Sequence, residues 1–129
     1  MGAILLVIIV NLSTAHLHLV DRNSNTVLAS YPIAYGFVNT HGQSVTPTGS
    51  FSVKTKAKIG PPTTEIKYGS RILGLGHWFG AGRQFSIHGT DKPELVGQAV
   101  SDGCIRLRNK DVEDLYERVP IGTMVVVTD

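Results

Sequence analysis

The segment from Ser86 to Leu107, SIHGTDKPELVGQAVSDGCIRL, holds two short alternations of apolar and polar residues separated by a turn-rich spacer. On its N-terminal side, the run Phe85-Ser86-Ile87-His88 predicts a strand with Phe85 and Ile87 facing a core and His88 facing away. On its C-terminal side, Cys104-Ile105-Arg106-Leu107 repeats the pattern, with Ile105 and Leu107 inward and Cys104 and Arg106 on the opposite face. The spacer contains Asp91, Lys92, Pro93 and Gly97, a composition suited to a return loop. If the two strands are neighbours, the imidazole and the thiol can meet above the core.

Cys104 is the only cysteine of the chain, and His88 lies sixteen positions upstream. A thiol that attacks a carbonyl needs a base, because an unperturbed cysteine is mostly protonated near neutrality. It also needs donors for the oxyanion that develops. Gly103 suits a tight turn in which successive N–H groups converge on an anion. The N–H groups of Asp102, Gly103 and Cys104 are the candidates for that role. The site reads as a cysteine acyl-transfer centre. The bland alternatives are a buried, inert cysteine and a histidine that serves only a turn or the core.

At 129 residues with a net charge of +2, residues 1–129 read as a single domain large enough for a real core. The basic residues are dispersed and no RNA-binding signature is present, so nucleic acid is not an expected partner. One cysteine leaves a free thiol, and the histidines at 16, 18, 41, 77 and 88 lack metal-ligand spacing, so no metal or cofactor is expected. The chain is read as a monomer. Ala3 to Val10 (AILLVIIV) is apolar throughout but shorter than the ~20 residues that span a bilayer. It lacks the basic flank and cleavage site of a signal peptide, and reads as a strand buried on both faces. A remnant of an export segment at Met1 to Leu6 is the alternative.

Further along, Asp21 to Asn25 is a turn cluster between Leu17–Val20 and Thr26–Ala34, predicting a hairpin. Phe51, Val53 and Thr55 alternate with Ser52, Lys54 and Lys56, predicting one strand with a solvated lysine face. Gly60 to Gly69 reads as a loop, Ile72–Leu75 as a strand, and Gly76–Gly82 as an aromatic loop that either borders a cleft or packs. Val112, Leu115, Tyr116 and Val119 form the one helical stripe, with Asn109 as N-cap and Pro120 as terminator. Thr123–Thr128 closes the chain as a strand. The prediction is a mainly β domain with one α-helix near the C-terminus.

HGTDKPELVG (88–97), SDGCIRL (101–107) and NKDVEDLY (109–116) closely resemble the signature of the L,D-transpeptidase catalytic domain, the YkuD-type family. YPIAYG (31–36) and TPTGSF (46–51) resemble its upstream landmarks, so the similarity covers nearly the whole chain. The resemblance implies a β-sandwich or distorted barrel and a role in peptidoglycan cross-linking, hence in cell-wall biogenesis and cell shape. It implies Cys104 as nucleophile, His88 as base, and the carbonyl of Gly89 as the partner that orients the imidazole. The substrates implied are peptidoglycan stem tetrapeptides in the cell envelope, with carbapenems as acylating inhibitors. Arg106 is the candidate for binding a substrate carboxylate, against a structural ion pair. Ser101 either hydrogen-bonds the histidine or shapes the loop. Asp102 stands where the family often has histidine. An acid aimed at the thiol would oppose ionisation, so its side chain is expected to face solvent. The competing functions are an L,D-carboxypeptidase using the same thioester and a non-catalytic wall-binding module.

Overall fold

The computed structural model describes residues 3–80 and 82–129. β1 (Leu6–Asn11) is central to the larger sheet, between β2 (His16–Asp21), antiparallel to it, and the final strand (Met124–Thr128), parallel to it. Its β-branched run suits that position. Ile8 faces Leu19 on one side and Val125 on the other, and Ile8 and Val10 are fully buried. β3 (Thr26–Pro32) extends this sheet at one edge through a hairpin with β2, and β5 (Gly49–Ser52) completes the other edge. β4 (Tyr35–Gly36) lies outside it, parallel to β9 (Ala99–Ser101).

The second sheet runs in the order β10 (Ile105–Arg106), β8 (Arg83–His88), β7 (Arg71–Gly80), β6 (Thr55–Lys58). β8 and β10 are adjacent and parallel, with Ile105 opposite Ile87 and Arg106 opposite His88. The two alternations of the Ser86–Leu107 segment therefore share one register. Phe85, Ile87, Ile105 and Leu107 all fall inward and are fully buried with Ile8, Leu17 and Leu19. Each such side chain contributes roughly 1.5–3 kcal/mol on burial. α1 (Asn109–Arg118) packs on β7 and β8 through Val112 and Leu115, while Val119 is buried just beyond its end. With β11 the name of the Met124–Thr128 strand, the result is a mainly β fold with one α-helix, as the sequence predicts.

Four local readings need correction. The strand predicted over residues 51–56 is two strands in different sheets. Val53 sits fully buried at the crossing, its N–H donating to Thr123 and its carbonyl accepting from Gly122. Lys56 is not part of a solvated face: its Nζ donates to the carbonyls of Tyr116 and Val119, each at 2.7 Å, capping the end of α1. Most of the loop predicted at residues 76–82 is strand. β7 continues to Gly80, irregular in its pairing with β8, and Ala81 lies outside the described residues.

Asn109 does not cap α1 with its side chain. Arg108 occupies the N-cap position, and the Asn109 Oδ1 instead accepts from the N–H groups of Ser70 (3.2 Å) and Thr90 (3.1 Å). Leu6 opens β1, and Met1 and Gly2 lie outside the described residues. Among the described residues, no helix is long and apolar enough to cross a membrane.

Candidate active site

Strand parity builds the site. Inward Phe85 and Ile87 force Ser86 and His88 to the other face of β8, and inward Ile105 does the same for Arg106 on the neighbouring strand and for Cys104 just before it. All four line one cavity of about 260 Å³. Tyr68, Phe79 and Gln84 complete its walls, with Lys67 and Arg83 at its margins. Backbone bonds hold β10 on both sides. Arg106 exchanges N–H and carbonyl with Ala34, each at 2.9 Å, and Leu107 donates to the His88 carbonyl at 2.9 Å.

His88 is 2% exposed, and its Nδ1 lies 2.6 Å from the carbonyl oxygen of Gly89. Burial pushes its pKa down from 6.5 to about 4, with Arg106 and Lys67 adding to the depression and the Gly89 carbonyl opposing it. At neutral pH the imidazole is uncharged. Nδ1–H donates to Gly89, the Tyr68 backbone also favours the protonated ring, and among the described residues no hydrogen bond joins the imidazole to the Cys104 thiol. The Tyr68 ring meets the imidazole edge-on, with centroids 5.1 Å apart.

Cys104 is half-buried, its Sγ 3.5 Å from the Ser86 Oγ and 3.5 Å from the Gln84 carbonyl. The preceding turn is held by Ser101, whose Oγ donates to the Cys104 carbonyl at 2.6 Å and accepts the Gly103 N–H at 3.1 Å. Ser101 thus shapes the loop and does not bond the histidine. The same contact removes the Gly103 N–H from the three proposed oxyanion donors. The N–H groups of Asp102 and Cys104 have no acceptor among the described residues. Gly103 adopts φ +133, a conformation open to glycine, and the Phe79 ring lies against its α-carbon.

Asp102 turns its carboxylate to solvent, 3.3 Å from the Arg83 guanidinium. Among the described residues Arg106 forms no ion pair, which leaves its planar fork available inside the cavity. His77 does not line this cavity and packs edge-on against Phe51, Phe79 and Phe85. Among the described residues, no group of histidine, cysteine and acidic side chains is arranged to hold a metal ion.

Sequence reading missed several residues of this cavity. Ser86 was within reach, because it shares the parity of His88. Thr46 is buried, and its Oγ1 bridges the Gly36 N–H and the Gly103 carbonyl, so both upstream landmarks converge on the cysteine turn. Lys67 and Tyr68 come from an aperiodic loop, and no pattern marks them.

The profile of the L,D-transpeptidase catalytic domain (YkuD) matches residues 6–127. The provisionally named L,D-transpeptidase YqjB of Bacillus subtilis (strain 168) is 35% identical over 130 residues, covering 95% of this chain and 70% of YqjB. YkuD of the same organism, likewise provisionally named, is 39% identical over 106 residues, covering 81% of this chain and 56% of that protein. Among solved structures, L,D-transpeptidase 3 from Mycobacterium tuberculosis, in complex with a faropenem-derived adduct, superposes with a TM-score of 0.72 at 17% identity. That match covers 98% of this chain and 61% of the mycobacterial one, so this chain spans little more than half the length of some relatives. With a profile match across nearly its whole length and a fold in common with the solved enzymes, the chain belongs to the L,D-transpeptidase catalytic domain family.

Proposed function

We propose that residues 1–129 act as one catalytic domain, a monomeric peptidoglycan L,D-transpeptidase of the cell envelope, with Cys104 as nucleophile and His88 as base. The observation that carries this reading is the single cavity shared by the thiol, a neutral buried imidazole and an unpaired guanidinium. The donor is a stem tetrapeptide bound with its third-residue carbonyl at the sulfur. As sulfur attacks, its proton passes to Nε2 of His88, and the Asp102 and Cys104 N–H groups receive the oxyanion. Collapse breaks the C–N bond, the imidazolium protonates the departing amine, and a thioester remains on Cys104. An acceptor amine then adds to the thioester carbonyl, loses its proton to His88, and expels the sulfur, which regains that proton.

Burial keeps the His88 imidazole neutral, the form in which it can take up a proton as a base. Arg106 is suited to a substrate carboxylate through its bidentate fork. The faropenem-derived adduct on the mycobacterial relative, with the imipenem complex of the L,D-transpeptidase LdtMt1, supports acylation of Cys104 by carbapenems here.

The test is mass spectrometry of the protein after incubation with tetrapeptide, with and without a labelled acceptor amine. The expected result is a thioester on Cys104 followed by labelled cross-linked product. Trimmed product alone would make the chain an L,D-carboxypeptidase. An unlabelled, unreactive thiol with intact wall binding would make it a binding module. Cys104→Ala should abolish the adduct, and His88→Ala should slow its formation by several orders of magnitude at neutral pH.

A further inference from the structure

The cavity carries three cationic side chains, Lys67, Arg83 and Arg106, and one acid, Asp102. Arg83 is matched by Asp102 at 3.3 Å, at the thiol's margin. Lys67 and Arg106 have no carboxylate within ion-pair distance among the described residues.

These two cations lie on the imidazole's side. Arg106 is the register partner of His88 on the adjacent strand. Lys67 precedes Tyr68, its ammonium 5.7 Å from the centre of the ring that abuts the imidazole. Both charges are felt at His88, where they oppose protonation.

The reaction also has sides. The imidazolium delivers its proton to the departing nitrogen, so the residue that leaves must lie toward His88. In a stem tetrapeptide that residue carries its free carboxylate one carbon away from the nitrogen. By microscopic reversibility the incoming acceptor nitrogen occupies the same place, and a carboxylate beside it would reach the same cations.

Resting on the acyl-transfer reading above, we propose that Lys67 is a substrate-binding residue that, with Arg106, grips the α-carboxylate next to the departing or incoming nitrogen. The site thereby selects amino acids, as opposed to simple amines or amides, as leaving groups and acceptors. The clamp also serves the base. An imidazolium forming beside two unmatched cations is disfavoured, and a bound carboxylate matches them when the proton arrives. A charge-assisted hydrogen bond of this kind is worth roughly tenfold or more in rate.

The experiment compares donors ending in a free carboxylate or a carboxamide, reading thioester formation on Cys104 by mass in single turnover. It uses the wild type, Lys67→Gln and Lys67→Arg. Lys67 is exposed, so these changes leave the core intact. The expected result is that wild type acylates at least about tenfold faster from the acid. Lys67→Gln should shrink the acid's advantage over the amide several-fold, and Lys67→Arg should restore it. Partitioning the thioester between D-alanine and D-alaninamide should show the same dependence. Equal rates from both donors, or a Lys67→Gln loss shared equally by both, would overturn the clamp and leave the thioester route standing. No thioester from either donor would remove the acyl-transfer reading itself, and the clamp with it.

Discussion

Thr46 fastens the turn that carries Gly103: its Oγ1 donates to the Gly103 carbonyl at 2.8 Å and accepts the Gly36 N–H at 2.8 Å. Gly36 belongs to backbone that has no room for a substitute. A Cβ on Gly36 would stand 2.6 Å from the Thr46 nitrogen. Thr46→Val keeps the shape and deletes both bonds, orphaning a donor and an acceptor in a buried place. We expect a loss of roughly 2–4 kcal/mol in stability and a larger loss of acylation than Thr46→Ser, which keeps the hydroxyl. Urea unfolding and thioester formation on the two variants check this. Equal behaviour of the two would show that the hydroxyl does not hold the turn.

Gly103→Ala should impair the site for a backbone reason. The φ of +133 is strained for any residue with a Cβ, and the added carbon would lie 2.8 Å from the Phe79 Cζ. The ring can move aside, whereas the backbone torsion cannot relax without carrying the Asp102 and Cys104 N–H groups with it. Gly103→Ala should therefore destabilise by about 1–3 kcal/mol and slow acylation, and adding Phe79→Ala should not restore the rate. Rescue by the second change would locate the cost in the ring instead.

Asn109 separates the sequence reading of α1 from the observed one. As an N-cap it would tolerate serine, since both residues cap well. Its Oδ1 instead ties Ser70 and Thr90 together, and its Nδ2 donates to the Pro62 carbonyl at 2.9 Å. Serine is too short to make that bridge. Asn109→Ser should cost roughly 1–3 kcal/mol and loosen the loop that carries Lys67 and Tyr68. Thermal unfolding together with hydrogen exchange at Ser70 and Thr90 tests this, and a variant as stable as the parent would return Asn109 to a cap.

The contrast between Asn109 and His88 shows what the chain discloses by itself. Period-two alternation is local, so the shared face of Ser86, His88, Cys104 and Arg106 follows from a few adjacent residues once the strands are known to be neighbours. The helical stripe of α1 is legible for the same reason. The hydroxyl of Thr46 and the amide of Asn109 act across loops distant in sequence, and their partners are backbone groups, which every residue type supplies alike. Nothing in the composition of residues 51–58 announces that Val53 crosses from one sheet to the other. The crossing depends on Thr123 and Gly122 arriving from the far end of the chain.

His88 links stability and activity to pH with a definite sign. Its pKa falls from 6.5 to about 4 on folding, chiefly through burial. Between those values the unfolded chain binds a proton that the folded chain does not, so this contribution is complete above pH 6.5 and is lost as pH falls toward 4. It amounts to on the order of 3 kcal/mol. Urea unfolding between neutral and mildly acid pH should show a steeper loss for the parent than for His88→Gln, whose carboxylates are otherwise the same. The acid limb of kcat/KM should lie well below the ordinary histidine range. Lys67→Gln should raise that limb, because one of the charges that disfavour the imidazolium is gone. A limb at or above the ordinary value in the parent would mean that His88 is not the neutral base of this site.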